Sequence, residues 1–395
     1  MTLPYPAIRL KPGREASLLR GHPWLFSGAI AHVDPSLSPG AVAAALASDG
    51  RPVGLGFFNG QSDISFRLLT ADSSTNIDRD FWKLRIESAL SLRRRIIPPG
   101  TNAYRLINAE GDGMPGLVVD RYAEVLVITI GTMGMENRRE SIVDLLVESL
   151  RPKSVLERSE GRSRQREGLE ERIGIAHGED IPERIAINEN GLKFEVDAVN
   201  GQKTGFFLDQ RENRRIIGSV SGSMKVLNAF AYTGAFSVYA ASGGADRVVT
   251  VEASELACEA AVRNLEINGF SAGHHTVVAA DVFTYLRQTD ETFDMVILDP
   301  PAFAKTRADV ERAGRGYKDI NLQAVKRLNA AGILATFSCS NHLDEELFQK
   351  IVLSAVRDCS RTGQVLRILG AGPDHPVLLS HPEGKYLKGL LLRIL

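Results

Sequence analysis

A thiol stands between two hydroxyls in Ser338-Cys339-Ser340, where the apolar run GILATF gives way to a polar loop. The chain has three cysteines, and Cys258, Cys339 and Cys359 are too widely spaced for a CxxC metal site or a disulfide framework. Cys258 and Cys359 fall in helix-like stretches and read as small apolar core residues. Cys339 has two readings left, core filler or nucleophile. Four other features end apolar runs in a similar way. KVLNAF passes into Ala231-Tyr232-Thr233-Gly234, RVVTVE ends in Glu252, VVAA is followed by Asp281, and MVILDP opens Asp299-Pro300-Pro301-Ala302-Phe303. A glycine in a strand-to-helix turn suits close approach to a ligand, although any tight turn could need one. One glycine in place of G-x-G-x-x-G disfavours NAD. Glu252 can accept from two ribose hydroxyls, or it can serve as an acid at the start of the helix capped by Ser254. Asp281 is placed to accept from an adenine amino group.

These residues need a scaffold that brings strand ends together. From about 191 onward, strand-like runs alternate with helix-like runs at Ser254–Asn268, Val282–Arg287 and Asn321–Asn329. Such alternation predicts a doubly wound, mostly parallel Rossmann-like sheet, whose ligands collect beyond the carboxyl ends of the strands. Two other regions precede it. Residues 1–74 carry short apolar stretches broken by Gly and Pro, the pattern of a small β-rich domain, and ADSSTNID reads as a linker. Residues 75–190 predict a small α+β domain. A helix begins near 79 with Phe81, Leu84, Ile86, Leu90, Leu92 and Ile96, and stops at Pro98-Pro99. Strands YRLINAE, GLVVDRY, VLVITI and SVLERS follow, with a helix over 137–150. The 395 residues thus divide as 1–74, 75–190 and 191–395.

Composition excludes some classes. Apolar content is 44% and charged content 24%, as in ordinary globular proteins, and no apolar run approaches the ~18 residues needed to span a bilayer. The N-terminus lacks the apolar core of a secretory signal, and the cysteine usage suits a reducing cytoplasmic location. Net charge is −1, so any nucleic-acid contact must come from local clusters such as Arg93-Arg94-Arg95 or Arg158, Arg162, Arg164, Arg166 and Arg172. Neighbouring glutamates make the second cluster equally readable as a solvated face.

The ordered set of glycine turn, Glu252, Asp281 and Asp-Pro-Pro on four successive strands resembles the class I S-adenosylmethionine-dependent methyltransferases. Asp-Pro-Pro suits a planar nitrogen-bearing acceptor: Asp299 can meet a base edge, while Pro300 and Pro301 stiffen the turn and remove N–H donors. An aromatic directly after Pro-Pro would mark amino-nitrogen methylation, but Ala302 intervenes before Phe303. Carbon 5 of cytosine is a poor nucleophile, and a thiolate adding to C6 activates it. That reaction suits Cys339, which would have to ionise below its ordinary range or lose its proton during attack.

The match is closer than the class. RLKPGREASLLRGHPWLFSGAI, YRLINAEGDGMPGLVVDRY, KTGFFLDQRENR, NAFAYTGAFSVYAA, VTVEAS, LDPPAFAK, RGYKDIN, TFSCSNH and HPEGKYLKG resemble, in order, segments of the PUA-containing bacterial large-subunit ribosomal RNA cytosine-5 methyltransferases. The resemblance implies an N-terminal PUA domain, a small middle domain and a class I catalytic domain. It implies S-adenosylmethionine as cofactor, large-subunit (23S) ribosomal RNA as partner, no metal and no membrane. It leaves oligomeric state open, a homodimer included. Carried over by motif, Cys339 would be the nucleophile and Asp299 the base-edge partner. Gln210, Arg211, Ala231, Thr233, Gly234, Glu252 and Asp281 would hold the cofactor, with Asp299 beside it. Pro300 and Phe303 would bound the base. Arg14, Arg20, His22 and Trp24 could supply phosphate and stacking contacts, although Trp24 and Phe26 also suit core packing. Related RNA enzymes carry a second cysteine in the Asp-Pro-Pro turn, and Ala302 stands there instead. Two rivals remain: amino-nitrogen methylation using Asp299 and Phe303 without covalent catalysis, and a non-enzymatic RNA-binding assembly factor.

Overall fold

The computed structural model describes residues 4–270, 273–304 and 306–395. A six-stranded sheet occupies the N-terminal region, from strand Ala7–Leu10 to strand Phe66–Thr70. Its two-residue alternation feeds two cores. Ala43, Ala45 and Phe58 pack with Ile8, Leu10 and Phe66. Val42, Ala44, Leu55 and Phe57 instead pack with Trp82 and Ile86 of the next domain. A strand puts successive side chains on opposite faces, so the same segment serves both cores.

The helix expected near 79 spans Arg79–Ile96, capped by Asp78, whose side chain accepts from the Phe81 amide. Its buried face is Trp82, Ile86, Ala89, Leu90 and Arg93. Leu84 and Leu92, expected on that face, are exposed, because the i, i+4, i+7 stripe from Trp82 turns them outward. Behind it lies a five-stranded sheet in the spatial order Arg172–Gly178, Ser154–Ser159, Val125–Ile130, Leu117–Tyr122, Ala103–Asn108. Helix Arg139–Leu150 buries Ile142, Val143, Leu145 and Leu146.

A hairpin, Ile185–Glu189 paired with Leu192–Val196, crosses position 190, where the pattern had suggested a break between domains. Asn190 and Gly191 turn it with φ of 52° and 82°, the left-handed pair that Asn-Gly favours. Phe194 and Val196 then pack into the core of the C-terminal domain.

That domain is a seven-stranded sheet: β1 Lys225–Ala229, β2 Arg247–Glu252, β3 His275–Ala279, β4 Phe293–Leu298, β5 Leu328–Ser338, β6 Gly363–Gly370 and β7 Lys388–Ile394. The spatial order is β3-β2-β1-β4-β5-β7-β6, with β7 antiparallel to both neighbours. The order reverses between β1 and β4, where an open α/β sheet forms its crevice. The helix expected over 321–329 spans Val310–Lys326, and residues 328 and 329 begin β5. Gly314 and Gly316 had masked its first turns, which bury Ala313 and Tyr317.

One buried carboxylate ties the domains together. Asp374 accepts both Arg211 guanidinium nitrogens at 3.0 and 2.9 Å, and both side chains are wholly buried. It also accepts the backbone N–H of Arg105 at 2.9 Å, and its carbonyl accepts Arg93 at 2.8 Å. Removing one member of such a pair leaves a buried charge without compensation. Asp374→Ala should therefore lose about 3–5 kcal/mol of stability, read as a lower unfolding midpoint in denaturant. A loss below about 1 kcal/mol would show that Arg211 is resolvated and that the pair does not hold the domains.

Candidate active site

A cavity of 380 Å³ opens beyond the carboxyl ends of β1, β2 and β4. Glu252, Asp281, Asp299, Pro300, Phe303 and Cys339, six residues read from strand ends, all line it. Ala231, Thr233 and Gln210 line it too. The turn after β1 is strained: Phe230 and Tyr232 hold φ of 60° and 47°, a region bulky side chains rarely adopt. That strain presents the Ala231 and Thr233 backbone to the cavity. Tyr232 N–H donates to Glu252 at 2.8 Å, and Ala253 and Ser254 N–H donate to the other Glu252 oxygen at 2.8 and 3.1 Å. Asp281 caps helix Val282–Gln288, accepting the Thr284 amide at 2.8 Å. Glu252 thus also serves as the acid at a helix start, its alternative reading, Asp281 caps a helix as well, and both still face the cavity.

The donor set fits S-adenosylmethionine. Thr233 Oγ1 is buried beside the cavity without a hydrogen-bond partner among the described residues. An unpaired buried hydroxyl is costly unless a ligand meets it. Glu252 offers acceptors for ribose hydroxyls, and Phe230, Ala231, Phe283 and Pro300 offer apolar walls for an adenine. The volume lies within the ~300–1,000 Å³ of small-molecule sites.

The floor is an arrangement of charges that strand-end reading missed. Lys203 donates to Asp209 at 2.8 Å, and Tyr386 OH donates to the same oxygen. Burial opposes ionisation of Asp209, but Lys203, His375 and these hydrogen bonds outweigh it and hold the carboxyl well below the usual range. Asp299 is different. Burial, then the neighbouring Asp209 charge, push its carboxyl up to about 7 against the pull of Lys203, Gln210 and Arg214. Gln210 Nε2 donates to Asp299 at 3.0 Å. Burial, then Asp299, also push the Cys339 thiol upward, while Lys203 pulls it down.

Flanking serines fix Cys339. Ser340 Oγ accepts the Ala304 amide at 3.2 Å and pairs with Tyr317 OH at 3.0 Å, and its carbonyl accepts Lys388 at 2.7 Å. The loop after β5 is thereby tied to the Asp-Pro-Pro loop and to β7. Cys339 also lines a second cavity of 350 Å³ with Arg162, Ala302, Ala304, Asn341 and His342. The thiol therefore sits on the wall shared by both cavities.

Other expected residues lie elsewhere. Arg211 is consumed by Asp374, because the turn Leu208–Gln210 followed by helix Arg211–Val220 sends neighbours in opposite directions. Gly234 does not line the cavity; its φ is +74°, and a Cβ there would lie 2.7 Å from that of Ala261. Trp24 is engaged between domains: its Nε1 donates to Glu110 at 2.8 Å and its ring meets His381 at 4.3 Å. Arg14, His22, Trp24 and Phe26 line a separate 390 Å³ cavity, and Arg20 is exposed. Cys258 is buried, its thiol donating to the Glu252 carbonyl at the end of β2, and Cys359 is half-buried against the core. Among the described residues, no helix is long and apolar enough to cross a membrane, and no cluster of His, Cys, Asp and Glu suits a metal.

Sequence comparison agrees with this geometry. The family profile described as S-adenosylmethionine-dependent methyltransferase matches residues 162–344, and one described as PUA-like domain matches residues 8–71. The chain is 44% identical to ribosomal RNA large subunit methyltransferase I of Aeromonas salmonicida, over 98% of each chain. It is 45% identical to the protein of that name from Shewanella denitrificans, over 98% of this chain and 99% of the other. A candidate SAM-dependent methyltransferase from Streptococcus mutans has the same fold, at a TM-score of 0.83 and 23% identity, over 98% of this chain and 99% of that one. A further methyltransferase-type structure, solved with SAH, aligns at a TM-score of 0.84 and 23% identity, with the same coverage.

The raised Asp299 carboxyl carries a stability consequence. The folded protein keeps this proton between pH 3.8 and about 7, where the unfolded chain has lost it. Folding stability thus falls as pH rises through that window. Asp299→Asn removes the titration, so the unfolding temperature of the variant minus that of the wild type should grow by on the order of 5 °C from pH 4 to 7.5. A difference independent of pH would contradict the assignment.

Proposed function

The chain belongs to the family of S-adenosylmethionine-dependent ribosomal RNA large subunit methyltransferases, and from that premise we propose that it forms 5-methylcytosine in large-subunit (23S) ribosomal RNA through a covalent adduct of Cys339. One observation carries this reading: Cys339 forms the wall between the cofactor cavity and a second cavity reached from outside, with Asp299 lining the first. A cytosine in the second cavity would present C6 to the thiol and C5 toward the cofactor side. A paired target would first be flipped out, at a cost of a few kcal/mol.

The residues have separable tasks. Thr233, Ala231, Glu252 and Asp281 hold the cofactor, and Gln210 orients Asp299. Because burial keeps Cys339 a thiol, its proton must leave as Sγ bonds to C6. Asp299, titrating near 7, takes that proton in its carboxylate form and delivers it to N3 of the base. The ring electron pair displaced from C6 then resides at C5. S-adenosylmethionine, when bound, supplies the electrophilic methyl group that C5 receives. Release requires loss of the C5 proton to solvent base. The C5–C6 double bond re-forms, the C6–Sγ bond breaks, and Cys339 leaves as a thiolate that regains the N3 proton through Asp299. Ala302 stands where related enzymes keep a second cysteine, so no other thiol shares this work.

Amino-nitrogen methylation would need Phe303 as a stacking platform. Its ring already packs 4.6 Å from Tyr317 and 6.1 Å from Phe283, centroid to centroid, which favours the covalent reading. An enzyme of ribosomal RNA would act in the cytoplasm, where large subunits are assembled.

Nucleoside mass spectrometry of methylated large-subunit RNA should find 5-methylcytidine. Cys339→Ala should lower the single-turnover rate by on the order of 10³-fold or more, with cofactor affinity little changed. An N-methylated nucleoside together with an active Cys339→Ala variant would replace this reading with the non-covalent one.

A further inference from the structure

The arginines of residues 158–172 do not share one fate. Arg158 is tied to Glu160 and to the carbonyls of Ala198 and Gly201. Arg164 is buried, donating to the Ile130 carbonyl and to Glu136, each at 2.8 Å. Arg172 also pairs with Glu136. Arg162 and Arg166, on the same short helix Arg162–Arg166, are exposed, and neither has an ion pair or hydrogen bond among the described residues. Only Arg162 lines the second cavity with Cys339.

We propose that Arg162 binds a backbone phosphate flanking the target nucleotide, completing a substrate pocket built jointly by the middle and catalytic domains. This rests on the reading of Cys339 above. Three arguments support it. The cavity has Cys339, Asn341 and His342 from beyond β5 and Ala302 and Ala304 from the Asp-Pro-Pro loop, and among the described lining residues the permanent cation is Arg162 of the middle domain. A nucleotide whose base reaches Cys339 must trail its phosphates through the cavity mouth, and the planar guanidinium matches phosphate oxygens in pairs. Finally, buried Arg164 anchors the helix, so the backbone that carries Arg162 is in place before RNA arrives. The buried partner anchors the element and the free one faces the ligand, a division a merely solvated charge run does not need.

Arg166 is the built-in comparison: same helix, same charge, same exposure, but off the cavity. Equilibrium binding of an unmodified large-subunit RNA transcript, measured across salt concentrations, tests the assignment without requiring chemistry. Arg162→Ala should weaken binding about five- to tenfold and reduce the slope of log affinity against log salt by about 0.7, with S-adenosylmethionine affinity unchanged. Arg162→Lys should restore the slope but only part of the affinity, because an ammonium cannot make the paired contact. Arg166→Ala should change affinity less than twofold. Unchanged affinity and slope in Arg162→Ala, or an equal loss in Arg166→Ala, would overturn the proposal. A wild-type product other than 5-methylcytosine would instead overturn the covalent reading, and the salt slope would still decide Arg162.

Discussion

Two carboxylates and one ammonium share the floor of the cofactor cavity, and the chemistry depends on how they divide the charge. Asp209 takes Lys203 and Tyr386, which keeps it ionised although buried. Among the described residues Asp299 receives only an amide, from Gln210, and it lies in the field of Asp209. Like charges in one desolvated site cannot both ionise easily, so one pKa falls while the other rises. The result is a carboxyl poised near neutral pH beside a thiol kept protonated. In the proposed covalent reaction a proton would move between them at the moment of attack, without a standing thiolate exposed to oxidation.

This division is held from a distance. Lys203 and Asp209 lie on the segment that leads into helix Arg211–Val220, ahead of the catalytic sheet, and the middle domain positions it. Thr204 Oγ1 meets Asp120 at 2.7 Å and Tyr122 OH at 2.8 Å, and Asp120 is clamped by Arg105 at 2.8 and 3.0 Å. The backbone of Arg105 in turn meets Asp374, the partner of Arg211. Middle and catalytic domains are thus joined by buried, hydrogen-bonded charges that fix one geometry. The same domain supplies Arg162 to the second cavity, so it both sets the electrostatics of the floor and borders the entrance.

What could be read beforehand follows from topology. In an open parallel sheet every strand ends on one edge, so Glu252, Asp281, Asp299 and Cys339 could be gathered from strand ends alone. The serines beside Cys339 were visible but their task was not, since Ser340 meets Ala304 and Tyr317 through distant contacts. Asp209 escaped because it follows no strand, and its partner Tyr386 lies far along the chain. Arg211 was placed at the cofactor together with Gln210 by the motif they share, but adjacent residues point about 100° apart on a helix, and Asp374 takes the Arg211 guanidinium. Trp24 could be read as a base-stacking or a packing residue, and Glu110 from another domain, which accepts its N–H, and His381, which meets its ring, give it the packing role. Asn190-Gly191 was the one local signal overlooked: it announces a hairpin where composition suggested a boundary.

The proposed reaction passes through a bond between Cys339 Sγ and C6 of cytosine. Substituting fluorine for the C5 hydrogen blocks the final proton loss, so the adduct should persist. With 5-fluorocytosine-containing large-subunit RNA and S-adenosylmethionine, the wild-type protein should give a denaturation-resistant RNA–protein species whose crosslinked peptide contains Cys339. Turnover of the unfluorinated RNA with no such species, or a crosslink at another residue, would contradict the account.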